Sequence, residues 1–122
     1  MVNTVSAFNP RWPTDRYGPY HSTVVDILPP ATGLTVVPGV MQQRIYVLQM
    51  MLIAAGDVDV DIINTGGGAL VGQVSLAADG NGFVLPPAWP GVPWFVTNPG
   101  NGIRINLSAA VQVGGVIVHY IW

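Results

Sequence analysis

From position 57 to 62 the chain alternates strictly, with Asp57, Asp59 and Asp61 on one side and Val58, Val60 and Ile62 on the other. A period of two is the signature of a strand with one wet face and one buried face. Positions 44–54 make the longest candidate strand, but they do not alternate. Ile45, Val47, Met51 and Ile53 share one parity, Tyr46, Leu48, Met50 and Leu52 share the other, and both sets are apolar. The C-terminal stretch repeats this pattern, with Val116, Val118, Tyr120 and Trp122 opposite Ile117, His119 and Ile121. An antiparallel sheet usually leaves one face to solvent. Two strands apolar on both faces therefore call for something that covers the outside.

The remaining pattern is one of short apolar runs between breakers. Fifteen glycines and eleven prolines leave no stretch long enough for an ordinary helix, because both residues are costly in helix interiors. The runs are rich in Val, Ile, Leu and Thr, residues that fit a pleated sheet. Strands are expected over 22–28, 34–37, 44–54, 57–64, 69–76, 83–85, 103–107 and 111–122, with Gly114-Gly115 as a break inside the last. Short strands at regular spacing predict an all-β fold, an antiparallel sandwich of about eight strands. Residues 1–21 stand apart from it. Asn9-Pro10, Trp12-Pro13 and Gly18-Pro19 forbid regular structure there, while Phe8, Trp12, Tyr17 and Tyr20 are too many aromatics for an unanchored tail. The chain thus divides into an extended N-terminal arm (1–21) and a sandwich domain (22–122).

Composition strengthens the case for a covered surface. Only 8% of the residues are charged and 50% are hydrophobic, with neither lysine nor glutamate anywhere. A domain of 122 residues has a large surface for its volume, so much of its exterior must be apolar. Large apolar patches mark contact surfaces, and the chain reads as an assembly subunit. Net charge is −2, with four scattered arginines. That excludes a nucleic-acid partner, which needs clustered Lys and Arg. The longest strongly apolar run, 45–55, is about half of the ~20 residues a membrane helix requires, so no membrane association is expected. Nor does the start of the chain show the basic and apolar regions of a secretory leader. With no cysteine, disulfides and thiol chemistry are absent.

Candidate chemistry is thin. Asp57, Asp59 and Asp61 could begin a calcium site, but the EF-hand glycine and distal glutamate are missing, and a solvated strand face explains them; no metal is expected. His21 and His119 are the two histidines. His119 lies in a two-faced apolar strand and reads as a packed interface residue, and His21 as a polar loop residue. Ser22, Ser75 and Ser108 lie in no nucleophile motif. No enzyme activity and no cofactor are expected. Gly66-Gly67-Gly68 lacks the Lys and Ser/Thr of a phosphate loop and reads as a strand connection. Trp89 and Trp94, in a loop with four prolines, could form a platform for a sugar ring, but suit a protein interface better.

Three further stretches carry a resemblance. Leu76-Ala77-Ala78-x-Gly80-x-Gly82-Phe83-Val84-Leu85-Pro86, then Gly91-Val92-Pro93-Trp94-Phe95, then Ile105-Asn106-Leu107-Ser108-Ala109-Ala110 with Val113-Gly114-Gly115-Val116, resemble the small capsid decoration (cement) proteins of tailed bacteriophages. The resemblance covers about residues 44–122 and leaves out the aromatic arm. It implies a jelly-roll or TNF-like sandwich, a homotrimer, and binding to the major capsid protein on the surface of the virion after assembly in the host cytoplasm. The alternative within the same class is another virion part, in tail, baseplate or fibre, that binds a host receptor or glycan. On this reading Tyr46, Leu48, Met50, Met51, Val118, His119, Tyr120 and Trp122 are expected at the oligomer interface. The face carrying Tyr46, Leu48 and Met50 would form the three-fold core, and Phe8, Trp12, Tyr17 and Tyr20 of the arm would contact the capsid or a neighbour.

Overall fold

The Pro29-Pro30, Pro38-Gly39 and Gly66–Gly68 breaks fall between strands, as expected. The computed structural model describes residues 20–77, 82–89 and 91–122. Within them nine strands run in the order β1 (His21–Ile27), β2 (Gly33–Val37), β3 (Ile45–Ala54), β4 (Val58–Asn64), β5 (Ala69–Leu76), β6 (Gly82–Leu85), β7 (Phe95–Val96), β8 (Ile103–Leu107) and β9 (Val113–Ile121). One sheet has the order β1-β9-β3-β6, with β7 also pairing with β3, and the other has the order β2-β8-β4-β5. All pairings are antiparallel. If β6 and β7 are taken as two halves of one interrupted strand, eight strands form two interleaved four-stranded sheets. This is the jelly roll. No helix occurs among the described residues.

The core lies between the sheets. Its largest fully buried side chains include Ile27, Ile45, Met50, Leu52, Ile62, Ile103, Ile105 and Ile117. The alternation read in β4 holds: Val58, Val60 and Ile62 are buried, while Asp59 and Asp61 lie on the outer side. The triple glycine closes the β4–β5 turn, where Gly67 and Gly68 adopt φ of 105° and 98°, a region that side chains disfavour. Asn64 braces this turn by donating from Nδ2 to the Gly68 carbonyl and accepting at Oδ1 from the Asn98 amide.

Two expectations need correction. Gly114-Gly115 does not break the last strand, since β9 runs unbroken from Val113 to Ile121. A Cβ on Gly115 would overlap the Met51 carbonyl oxygen, so the glycine permits close pairing with β3 rather than a turn. The second concerns His21. His21 already belongs to β1 and pairs with His119, so it is not a loop residue.

Candidate functional site

The third correction decides which surface is available. The β3–β9 register shifts between Val47 and Gln49, which makes Leu48 an extra, bulged residue. A bulge reverses the facing of every side chain after it. Ile45 and Val47 point inward before it, and Met50, Leu52 and Ala54 point inward after it. The expected face of Tyr46, Leu48 and Met50 therefore does not exist. Tyr46 faces outward, Leu48 is buried, and Met50 is wholly enclosed in the subunit's own core. On β9, His119 shares the inward parity of Ile117, so it too belongs to the subunit's interior and not to an exposed interface. Tyr120 faces outward but is covered within its own chain, between Tyr20 and Tyr46.

The outer face of the β1-β9-β3-β6 sheet nonetheless keeps an apolar row, flanked by Ser22 and Gln49 on one side and Asp26 on the other. The strand register aligns Val24, Val116, Met51 and Val84 in one row across all four strands. Val24, Met51 and Val84 are 77%, 38% and 60% exposed, and Ile53 in the next row is 49% exposed. Below them the paired glycines strip β9 of side chains. This leaves a groove of about 360 Å³ lined by Met51, Ile53, Ala54, Ala55, Gln112, Gly114 and Gly115. At the opposite end Tyr46 and Tyr120 stack with ring centroids 4.6 Å apart, flanked by Tyr20 and Trp122. Of the residues expected at an interface, Tyr46, Met51, Val118 and Trp122 lie on this face and retain exposure. Val24, Ile53 and Val84 were missed. Val24 was legible as an apolar residue between Ser22 and Asp26, but Ile53 and Val84 became outward-facing only through the bulge and the β3–β6 register.

The second sheet's outer face differs in its side chains. Asp61 pairs with Asn106, Asp59 with Ser75, and Thr35 with Arg104. Ser75 Oγ donates to Asp59 Oδ1 at 2.7 Å, and Arg104 Nε donates to Asn106 Oδ1 at 2.9 Å. Asp57 lies just before the strand, which begins at Val58. Among the described residues no three His, Cys, Asp or Glu side chains cluster as metal ligands would. The second sheet's outer face thus carries more polar side chains than the first, which keeps the exposed Val24–Val84 row.

The histidines meet at the rim. Their rings stack with centroids 5.3 Å apart, and the buried His119 Nδ1 has no hydrogen-bond partner among the described residues. Desolvation, aided by repulsion from His21 and opposed by the Ile117 backbone, lowers the pKa of His119 to about 4. Among the described residues, Ser75 Oγ bonds to Asp59 and Ser108 Oγ to the Asp59 amide, both away from this pair.

The tryptophans lie in the excursion between β6 and β7. The β3 bulge anchors it: Ala88 N donates to the Leu48 carbonyl and Trp94 N to the Val47 carbonyl, both at 2.9 Å. Trp94 Nε1 donates back to the Pro86 carbonyl at 2.6 Å. Tyr20 is the one expected arm anchor within the described residues; Phe8, Trp12 and Tyr17 lie outside them.

No family model matches the chain. No curated protein matches it either. Among solved structures it is similar to a chain of the virus-like particle of extra small virus from the giant freshwater prawn Macrobrachium rosenbergii, at 15% identity and a TM-score of 0.36, covering 84% of this chain and 78% of that one.

Proposed function

We propose that this chain is a structural, non-enzymatic subunit of a virus particle, a capsid decoration protein that forms a trimer and binds the major capsid protein. The observation that carries this reading is the exposed apolar row of Val24, Met51 and Val84 on the outer face of the β1-β9-β3-β6 sheet. A lone small domain has little reason to keep a four-strand row of exposed Val and Met side chains. A subunit that buries this row against its copies does. Cyclic closure of such contacts gives a ring. The sequence resemblance over residues 44–122 supports the specific role, and the jelly-roll topology is the one it implies.

The reading is tested by native mass spectrometry of the full chain and of a Met51→Asp, Val116→Asp double variant, with binding of each to heads that lack the protein. The unmodified chain is expected as a trimer that decorates heads in many copies, and the variant as a folded monomer. A folded monomer of the unmodified chain at micromolar concentration would overturn the assembly. A trimer that binds tails and not heads would favour the receptor-binding alternative.

A further inference from the structure

The loop between β6 and β7 exposes two indoles in a rigid setting. Trp89 and Trp94 are 70% and 46% exposed, with Val92 at 73% beside them. Together with Pro87, Ala88 and Pro93 they line a groove of about 270 Å³. Hydrogen bonds that hold its shape include the two to the β3 bulge, the Trp94 indole to Pro86, and Val92 N to the Trp89 carbonyl at 2.9 Å. Among the described residues no charged side chain lines the groove, and Trp94 already donates its one polar hydrogen to its own backbone. A sugar, which needs several donors and acceptors, finds little to hold. A groove walled by aromatic rings and prolines instead suits an extended, proline-containing segment, whose rings lie flat on indole faces without first having to be straightened.

The chain carries such a segment. Residues 1–19 contain Pro10, Pro13 and Pro19 with Phe8, Trp12 and Tyr17. They join the sandwich at Tyr20, whose ring stacks on Tyr120 on the outer side of the sheet. That root lies beside β1, at one edge, while the tryptophan loop hangs from β6 and β7 at the other. The two edges are about 14 Å apart across three strand spacings. Nineteen extended residues reach roughly 60 Å, more than the width of a domain this size. The direct path from that root to the loop of the same subunit crosses the apolar row assigned above to subunit contact.

We infer that residues 1–19 leave their own subunit and seat in the groove of Trp89, Val92 and Trp94 on a neighbouring copy. This rests on the assembly proposed above. It makes the tryptophan loop the acceptor and the arm the donor of a strap between subunits.

Because the chain has no cysteine, cross-linking is clean. Full-length chains carrying Asn9→Cys, Pro13→Cys, Thr14→Cys or Gly18→Cys are each mixed with full-length Val92→Cys and oxidised mildly. The links are then mapped by mass spectrometry, and native masses are recorded on the same samples. The expected result is an interchain link between at least one arm position and residue 92, with its yield cut at least fivefold by Trp89→Ala in the Val92→Cys partner at unchanged native mass. A trimer without any such link overturns this inference alone. So does a link found only within single chains, when arm and loop cysteines are combined in one molecule. A native monomer overturns it together with the assembly.

Discussion

His21 and His119 sit opposite each other in the β1–β9 register with stacked rings 5.3 Å apart, and this places an acid-sensitive contact where the first strand begins. His119 falls from 6.5 to about 4 on folding, chiefly because burial penalises its charge. The unfolded chain therefore binds the proton more readily than the folded one. Its contribution is complete above pH 6.5, declines as pH falls towards 4, and levels off below that. The loss over this window, reduced by solvent screening, is on the order of 1–2 kcal/mol. Urea midpoints from pH 7 to 4 should show this decline, and His119→Leu should remove that part of it. An unchanged slope in the variant would show that the histidine is not responsible.

Met50 and Met51 are adjacent, and their substitutions should separate. Met50→Ala empties part of the core and should cost about 2–5 kcal/mol in stability, read from denaturant unfolding. Met51→Ala, on the exposed row, should change subunit stability by less than about 0.5 kcal/mol. Only the second is expected to weaken the trimer with the fold preserved. Equal losses of stability would contradict the bulge at Leu48.

Glycines within strands should divide in the same way. Gly115→Ala forces a methyl into the Met51 carbonyl and should destabilise by about 1–3 kcal/mol. Gly72→Ala in β5 meets nothing within 4 Å and should be neutral or slightly stabilising, because alanine restricts the unfolded chain. Thermal melts of the two variants provide the comparison.

Thr97 is buried, and its Oγ1 accepts the Ile45 amide at 2.9 Å. Thr97→Val keeps the shape but leaves that amide unpaired, at an expected cost of about 1–3 kcal/mol. Faster hydrogen exchange at Ile45 would locate the loss. Unchanged exchange there would mean that the hydroxyl is dispensable.

By itself the sequence determined most of the strands, their approximate ends, the wet face of Asp59 and Asp61, and the excess of apolar side chains that leaves some of them exposed. These follow from local causes: period-two alternation, β-branched residues, and the backbone limits of glycine and proline. Which apolar residues are exposed was decided only by tertiary structure. One bulged residue, Leu48, exchanges the two faces of β3, so Met50 enters the core while Met51 and Ile53 turn outward. A bulge is chosen by the partner strand and by the loop amides of Ala88 and Trp94 that meet it, and a two-faced apolar strand offers no alternation to reveal the slip. The His21–His119 pair is legible only in the β1–β9 register, which joins residues 98 positions apart. The row from Val24 to Val84 depends on three such registers at once. Periodicity within one strand cannot encode them, because they are set by how the sheets close around their common core.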